Sequence, residues 1–297
     1  MKYLIGVDGG GTKTEAAAYD LEGNLLNKGV SGYGNLLIDE GQATANIHMA
    51  IEQCLESLDL KDCLYLYLGL AGYGGVADTR AIEDSLLHAY GVPFTIVNDA
   101  WIAHAALLKG EDGILTISGT GSVSIAKKDE KLIMTGGWGH LLGDQGSGYW
   151  IALEAFKRMT VEADLQQARS PLTTKILSRL ELKEIADIKK FIYTSSKGDI
   201  ASVVPVIVEQ ADEGDESART ILKEAGWHLA EMTLAAYRQL PFPSSLPIAV
   251  KGSILTKIPF VQAAFTDKIK ETLPNAQLIL EDVSSTVGCY YLAKKKV

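Results

Sequence analysis

Cysteine is scarce in this sequence. The 297 residues contain only Cys54, Cys63 and Cys289, and no two of them have the CxxC spacing of a zinc or redox motif. Three scattered thiols are also too few ligands for a zinc or iron–sulfur centre within one chain. We therefore expect three reduced cysteines, as in a cytosolic protein.

Long apolar runs and excess positive charge are missing as well. No run approaches the roughly 18 residues that a membrane span needs, and the run after Lys2 ends at Asp8, so no signal peptide is expected. Lys and Arg number 28 against 37 Asp and Glu, and the net charge of −9 argues against nucleic acid or an anionic membrane as a partner. The sequence thus predicts a cytoplasmic protein in which any bound phosphate needs local N–H donors and a divalent cation.

The pattern of apolar segments occurs twice along the chain, which at 297 residues is long enough for two domains. The first copy predicts three antiparallel strands and then helix, strand, helix, strand and helix; these segments are 3–7, 15–20, 25–26, 39–58, 64–71, 78–89, 94–97 and 100–108. The second copy repeats this order; its segments outside the helical expansion described next are 113–118, 123–127, 132–135, 247–251, 260–272, 277–280 and 285–296.

A helical expansion interrupts the second copy at about 145–240. Its amphipathic stretches are 150–160, 172–181, 200–212 and 217–239. We therefore predict an α/β protein built from a duplicated βββαβαβ unit, with a domain boundary near Lys109–Asp112. Glu281-Asp282 closes the last strand as Asn98-Asp99 closes the strand at 94–97. If the two copies face each other, they form a cleft with a glycine turn on each side.

A glycine-rich turn follows the first strand: Asp8-Gly9-Gly10-Gly11-Thr12-Lys13-Thr14. Glycines let backbone N–H groups approach a phosphate closely, threonine hydroxyls add donors, and Asp8 can hold Mg²⁺ directly or through water. A plain hairpin needs only one or two glycines. The P-loop pattern fails because Thr12 separates Gly11 from Lys13, and the dinucleotide fingerprint fails because Thr14 stands where its third glycine is required.

Two further features are ambiguous by themselves. Gly119-Thr120-Gly121-Ser122 occupies the equivalent turn of the second copy and is either a plain turn or a ligand contact. Asp99 follows the strand at 94–97. A carboxylate there can accept a proton from an attacking hydroxyl, but Asp is also a favoured helix N-cap.

The densest glycine segment is residues 136–147, GGWGHLLGDQGS. Such a loop costs conformational entropy, which indicates close contact with a ligand or a domain. Trp138 can stack on a sugar face or belong to the core, and Asp144 can hold sugar hydroxyls or, with Gln145, cap the next helix. His140 is expected to be structural because no second histidine is near to suggest a metal.

These motifs together resemble a known family. Asp8–Thr14, Gly119–Ser122, Gly137–Ser147 and Val250-Lys251-Gly252-Ser253 resemble, in order, the first phosphate, second phosphate, connecting and adenosine motifs of the actin/hexokinase/Hsp70 ATPase superfamily. Within it the chain is most similar to the BadF/BadG/BcrA/BcrD ATPases and, among these, to N-acetylglucosamine kinases. The segments at 117–122 and 136–152 are the most specific, and 160–215 matches only loosely.

The resemblance implies two RNase H-like (actin-like ATPase) domains, each a mixed five-stranded sheet with flanking helices. They are expected at 1–110 and 111–284, with the helix at 285–297 packing back on the first. It further implies ATP and Mg²⁺ as cofactors, a homodimer, and phosphorylation of a hydroxyl, expected to be O6, of an amino sugar such as N-acetylglucosamine.

Site residues follow from the resemblance by position. The implied ATP contacts are Gly10, Gly11, Thr12, Lys13, Thr14, Thr120, Gly121, Ser122, Gly252 and Ser253. The implied sugar contacts are Asn35, Asp99, Thr120, Trp138 and Asp144. Asp8 is expected to position Mg²⁺, and Asp99 is expected to be the catalytic base.

Rival classes differ at identifiable features. Dehydratase-activating ATPases of the same group hold an iron–sulfur cluster through glycine-flanked cysteines, and the three cysteines here are not so placed. Kinases of the repressor/ORF/kinase group carry a cysteine- and histidine-rich zinc loop that this sequence lacks, and their regulators add a helix-turn-helix before the first strand. An actin- or chaperone-like ATPase would not need the Trp138 loop. The acceptor stays open among N-acetylglucosamine, glucosamine, N-acetylmuramic acid and N-acetylmannosamine; the absence of Arg and Lys from the glycine-rich loop favours a neutral sugar.

Overall fold

The computed structural model describes residues 1–281 and 283–297, so Asp282 of the predicted Glu281-Asp282 pair lies outside the described residues. The chain divides into two compact units. One comprises Met1–Glu111 together with Glu281–Val297, and the other comprises Asp112–Leu280. In the described part of the chain, none of the helices is both long and apolar enough to cross a bilayer.

Ten strands and twelve α-helices make up these units as described. The strands are β1 Tyr3–Gly9, β2 Thr14–Asp20, β3 Leu25–Ser31, β4 Cys63–Leu70, β5 Phe94–Asn98, β6 Gly113–Ser118, β7 Ser122–Lys128, β8 Lys131–Gly136, β9 Pro247–Lys251 and β10 Gln277–Ile279. The helices are α1 Glu40–Leu55, α2 Arg80–Tyr90, α3 Asp99–Leu108, α4 Gly148–Asp164, α5 Pro171–Arg179, α6 Asp187–Thr194, α7 Lys197–Ala201, α8 Val204–Asp212, α9 Glu216–Gln239, α10 Ser253–Lys257, α11 Pro259–Thr272 and α12 Ser285–Lys294.

The two sheets have the same topology. In the first unit the strand order is β3-β2-β1-β4-β5, and in the second it is β8-β7-β6-β9-β10. In each sheet the first three strands in sequence are antiparallel and the remaining two run parallel to the central one. The predicted duplication and the α/β class are confirmed.

Strand β1 separates two apolar layers because its side chains alternate between the faces of the sheet. Tyr3, Ile5 and Val7 belong to one buried cluster, which includes residues of α1 and α2. Leu4 belongs to the other, with Ile102 of α3 and residues of α12. Because both faces are covered, the segment reads in the sequence as a continuous apolar run.

Helix α12 lies very close to β1 and α3. A Cβ atom on Gly6 would be 2.5 Å from the carbonyl oxygen of Thr286, and one on Gly288 would be 1.9 Å from the carbonyl oxygen of Ile102. Neither glycine can carry a side chain without moving backbone atoms. These contacts attach the chain's last helix to the first unit.

The helical expansion contains more elements than the sequence indicated. Helices α6 and α7 were not predicted, since each is short and polar residues surround them. Helix α7 begins with a capping box in which the hydroxyl of Ser196 accepts from the amide of Asp199, and the Asp199 carboxylate accepts from the amide of Ser196. The Ser-x-x-Asp spacing was therefore a usable signal for this helix.

The three cysteines are buried and free. Burial raises the pKa of the Cys54 thiol to about 11 and that of Cys63 to about 12, and it also raises that of Cys289. Thiols that stay protonated are poor nucleophiles and poor metal ligands. This agrees with the expectation of three reduced cysteines.

Candidate active site

The first glycine turn joins β1 to β2 and is fixed by backbone hydrogen bonds. The amide of Gly10 donates to the carbonyl of Lys13 at 2.9 Å, and the amide of Gly34 donates to the carbonyl of Gly10 at 2.8 Å. The amide of Ala71, just after β4, donates to the carbonyl of Gly9 at 2.7 Å. The turn is thus tied to the segments that follow β3 and β4, and it lies at the carboxyl edge of the parallel strands.

Close packing beneath this turn requires glycine at position 34. A Cβ atom there would lie 2.6 Å from both the Cα of Gly9 and the Oγ1 of Thr14. The Thr14 side chain is fully buried, and within the described residues its hydroxyl has no hydrogen-bond partner. Leaving a buried polar group unsatisfied costs about 1–3 kcal/mol, so this orphan hydroxyl marks the turn as a place where stability is not the only requirement.

Lys13 extends from the turn into solvent but has a carboxylate beside it. Its Nζ lies 3.2 Å from an Oε of Glu15, and the other Oε accepts a hydrogen bond from the Ser284 hydroxyl at 2.7 Å. Burial raises the pKa of Glu15, but the hydrogen bonds from Ser284 and Lys13 outweigh it and leave the pKa below its ordinary value. Glu15 is therefore held in its charged form next to Lys13.

Asp99 is the first residue of α3, and its neighbour Asn98 is the cap. The Asn98 side chain accepts a hydrogen bond from the amide of Ala100 at 3.0 Å. Asp99 also accepts from this amide at 3.0 Å, but α3 begins at Asp99 and the N-cap position belongs to Asn98, so the alternative in which Asp99 is the N-cap residue is wrong. Leu70 is paired with Asn98 on one side and with Gly9 on the other, so Asp99 emerges at the same edge of the sheet as the glycine turn.

Asn35 is placed at this edge by its own loop. Its side-chain oxygen accepts from the amide of Leu37 at 3.0 Å, and the amide of Leu36 donates to the carbonyl of Ala71 at 3.1 Å. A Cβ atom on Gly72 would be 2.5 Å from that side-chain oxygen. The predicted residues of the first unit therefore share one edge of its sheet; they are Asp8, Gly10, Gly11, Thr12, Lys13, Thr14, Asn35 and Asp99.

The second glycine turn joins β6 to β7 and is held by the loop that precedes α4. The amide of Gly119 donates to the carbonyl of Gly121 at 3.0 Å, and the amide of Gly148 donates to the carbonyl of Gly119 at 2.8 Å. The Ser122 hydroxyl donates to the carbonyl of Gln145 at 2.9 Å. The predicted turn and the predicted glycine-rich loop are thus parts of one structure.

Asp144 lies under the second turn and makes two polar contacts. One carboxylate oxygen accepts from the amide of Ser122 at 3.0 Å, and the other lies 2.6 Å from the Nζ of Lys197 on α7. The Asp144 side chain is only 4% exposed, and its φ of 61° is in the left-handed region. Lys197 is a charged residue of this site that sequence reasoning missed.

The other side chains of the glycine-rich loop have distinct environments. Trp138 is 75% exposed, so its interpretation as a core aromatic is wrong. The exposed His140 ring meets the Tyr149 ring edge-on with centroids 4.9 Å apart. Ser147 caps α4 by accepting from the amide of Trp150, so Asp144-Gln145 is not the cap.

A cavity of about 470 Å³ opens beside the second turn, within the second unit. Its walls include Thr120 of the second turn, Gly198 and Ser202 of the helical expansion, and Ser253 after β9. A Cβ atom on Gly252 would be 2.2 Å from the carbonyl oxygen of Ser118, and Gly252 has a φ of 93°. The cavity has the volume of a small-ligand site, and Ser253 of the predicted adenosine motif contributes to its wall. The contributions of Gly198 and Ser202 were not predicted.

Across residues 1–281 and 283–297 the structure contains no group of three or more His, Cys, Asp or Glu side chains suited to a metal ion. Asp8, the residue predicted to position Mg²⁺, is half-buried near the end of β1, next to the first glycine turn. A single carboxylate beside a glycine turn is compatible with Mg²⁺, because this ion keeps several waters and is bound by one or two carboxylates together with substrate phosphates.

Two copies of a βββαβαβ unit, each with a glycine turn after its first strand, define the fold of the actin/hexokinase class of ATP-using proteins. The chain belongs to the BadF/BadG/BcrA/BcrD ATPase family, whose model matches residues 5–289.

Named relatives are similar over nearly their full length. The chain is 30% identical to an N-acetylmuramic acid/N-acetylglucosamine kinase of Clostridium acetobutylicum, covering 100% of this chain and 99% of that protein. It is 28% identical to an N-acetyl-D-glucosamine kinase of Dictyostelium discoideum, covering 98% and 97%. A solved structure from Chromobacterium violaceum, named provisionally as an N-acetylglucosamine kinase, has a TM-score of 0.76 at 24% identity and covers 98% of this chain and 99% of its own; it supports the fold.

Proposed function

We propose that this protein is a kinase that transfers the γ-phosphoryl group of ATP to a hydroxyl of an amino sugar, with N-acetylglucosamine as the first candidate. The observation that carries the proposal is the pair of glycine turns at equivalent positions after β1 and β6. Each has glycine and threonine residues whose backbone and side-chain donors suit phosphate oxygens. Similarity to amino-sugar kinases over 87–100% of the chain supplies the acceptor class.

Nucleotide binding is assigned to both turns and to the cavity. The first turn (Gly10, Gly11, Thr12, Lys13 and Thr14) would bind the β- and γ-phosphates, and the orphan hydroxyl of Thr14 fits a role as a donor there. Thr120, Gly121 and Ser122 would bind the second phosphate region, and Gly252 and Ser253 would line the adenosine pocket. Asp8 would hold Mg²⁺, which when bound neutralises charge on the phosphates.

Asp99 would act as the general base. The Asp99 carboxylate takes the proton of the sugar hydroxyl while that oxygen forms its bond to the γ-phosphorus, and the bond between the γ-phosphorus and the leaving oxygen of ADP breaks. Asn98 occupies the N-cap position of α3, so Asp99 is the first helical residue, at the edge of the sheet that carries the first glycine turn. The protein otherwise contributes positioning and charge stabilisation, which dominate phosphoryl transfer.

Sugar recognition is assigned to Asn35, Thr120, Trp138 and Asp144, in addition to Asp99. The exposed Trp138 ring offers an apolar face for a pyranose. Because two relatives are named as kinases of N-acetylmuramic acid and of glucosamine, these sugars remain alternative acceptors. A homodimer and a cytoplasmic location also belong to this proposal; light scattering on the purified protein tests the first and fractionation of cells tests the second.

The test is a coupled ADP-release assay with a panel of sugars. We expect N-acetylglucosamine to stimulate ADP release, to give a 6-phosphate by mass and NMR analysis, and to require Mg²⁺. The acceptor is identified by comparing its kcat/KM with the values for glucosamine, N-acetylmuramic acid and N-acetylmannosamine. ATP hydrolysis that no sugar changes would instead indicate an ATPase of another function within the same family.

A further inference from the structure

A charged link connects α7 to the second glycine turn. The Nζ of Lys197 lies 2.6 Å from one oxygen of Asp144, and the other oxygen of Asp144 accepts from the amide of Ser122 at 3.0 Å. Asp144 is 4% exposed and Lys197 is 33% exposed. The ammonium of Lys197 therefore faces a buried carboxylate, and the side chain that carries it is partly exposed to solvent.

The ammonium of Lys197 also lies directly against the turn. A Cβ atom on Gly121 would be 3.0 Å from this Nζ and 3.0 Å from the nearer Asp144 oxygen. The residue that follows, Gly198, contributes to the wall of the 470 Å³ cavity together with Gly119 and Thr120 of the turn. Lys197 is thus at the border between the cavity and the turn.

If the turn binds phosphate, a cation is needed at this border to offset the negative charge of Asp144. A buried carboxylate next to the turn repels a polyphosphate, and the ammonium of Lys197 offsets this charge at a distance of 2.6 Å. An ammonium has three N–H donors, and one is sufficient for Asp144. The remaining donors can bind a ligand beside Gly121, where a nucleotide's phosphate region would lie.

We propose that Lys197 is a phosphate-contacting residue for ATP and ADP, and that Asp144 positions its ammonium beside the turn at Gly119–Ser122. This inference rests on the proposed function, because it assumes that this turn and cavity bind a nucleotide. The ligand class is a nucleoside di- or triphosphate. The contact made by Lys197 is to the phosphates, while the nucleoside part lies in the cavity.

Calorimetry without sugar tests the proposal on the whole chain, with ADP and adenosine as ligands. We expect Lys197→Met to weaken the affinity for ADP at least tenfold, which is about 1.4 kcal/mol, and to leave the affinity for adenosine unchanged. Lys197→Arg keeps the charge, so most of the ADP affinity should return. The matched control is Lys190→Met on α6, which removes the same charge from an exposed position. Circular dichroism and thermal unfolding check the fold of each variant, and Lys197→Gln replaces Lys197→Met if the latter does not fold.

The outcomes separate this inference from the kinase proposal. Equal losses for ADP and adenosine in Lys197→Met would show that Lys197 only shapes the cavity, and unchanged ADP binding would show that it does not contact phosphate; either result overturns the inference alone. A loss of ADP affinity in Lys190→Met as large as in Lys197→Met would also overturn it. A wild-type protein that binds no ADP would overturn both proposals.

Discussion

Asn98 and Asp99 are adjacent carboxamide and carboxylate residues whose side-chain oxygens both accept from the amide of Ala100, at the start of α3. The Asn98 side chain accepts from the amide of Ala100 at 3.0 Å, with backbone angles of −67° and 144° that are typical of a cap. Asp99 is inside the helix, at the edge of the sheet that also carries the glycine turn after β1. The two residues can therefore be tested separately.

Replacing Asp99 by Asn should lower kcat by about 10²–10⁴-fold, because the general base is lost, while ADP affinity stays unchanged. Asn98→Ala is the matched control. It should lower the free energy of unfolding by about 1 kcal/mol through loss of the cap and leave kcat near that of the wild type. Steady-state kinetics and urea unfolding measure both. Turnover by Asp99→Asn at the wild-type rate would remove Asp99 from the catalytic role.

The same pair shows what the sequence could not decide. Asn and Asp are both favoured caps, so a one-residue difference in where α3 begins was invisible until the backbone angles were known. The turns at Asp8–Thr14 and Gly119–Ser122 were predictable, because glycine and threonine after an apolar strand are a local signal. Trp138 was ambiguous, since composition does not reveal exposure.

Lys197 was missed for a different reason. It stands in the polar run Ser195-Ser196-Lys197-Gly198, which looks like a turn within a helical region. Its partner Asp144 is 53 residues away in the sequence, and only tertiary packing brings them together. Local patterns thus predicted the strands and turns, whereas contacts between distant segments required the structure.

Gly34→Ala should destabilise the first unit by about 1–3 kcal/mol. The added Cβ would lie 2.6 Å from the Cα of Gly9 and from the Thr14 hydroxyl. The KM for ATP should rise as well, because the amide of Gly34 supports the first turn through the carbonyl of Gly10. The control is Gly41→Ala in α1, where the nearest atom to a Cβ is 3.5 Å away, and it should not destabilise. Thermal unfolding and ATP titrations check this, and a wild-type profile for Gly34→Ala would contradict it.

Asp112 should make stability depend on pH. Burial raises the pKa of its carboxyl, but hydrogen bonds from Lys128 and Lys127, at 2.9 and 3.0 Å, outweigh this and lower the pKa from 3.8 to about 2. A pKa that is lower in the folded state stabilises the fold above about pH 4, and the contribution is lost as the pH falls toward 2. Because the side chain is 33% exposed, solvent screening limits it to about 1 kcal/mol.

Asp112→Asn should therefore be less stable than the wild type by about 1 kcal/mol at pH 7, and the difference should shrink at pH 3. Urea unfolding at both values measures it. The control Asp129→Asn changes a 79% exposed carboxylate that lies 3.6 Å from the Nζ of Lys128. The difference in its free energy of unfolding from the wild type should not depend on pH in the same way. A stability difference between Asp112→Asn and the wild type that grows toward low pH would contradict a lowered pKa for Asp112.

Trp138→Ala should separate sugar binding from folding. The ring is 75% exposed, so its removal takes little apolar surface out of the core and the free energy of unfolding should stay within about 0.5 kcal/mol of the wild type. If the ring stacks on the sugar, the KM for the sugar should rise by up to about tenfold, since an aromatic contact contributes about 0.5–1.5 kcal/mol, and the KM for ATP should not change. Trp227→Ala on α9, where the ring is 46% exposed, is the matched control and should leave both constants unchanged. A rise in the KM for ATP alone would assign the Trp138 loop to the nucleotide instead of the acceptor.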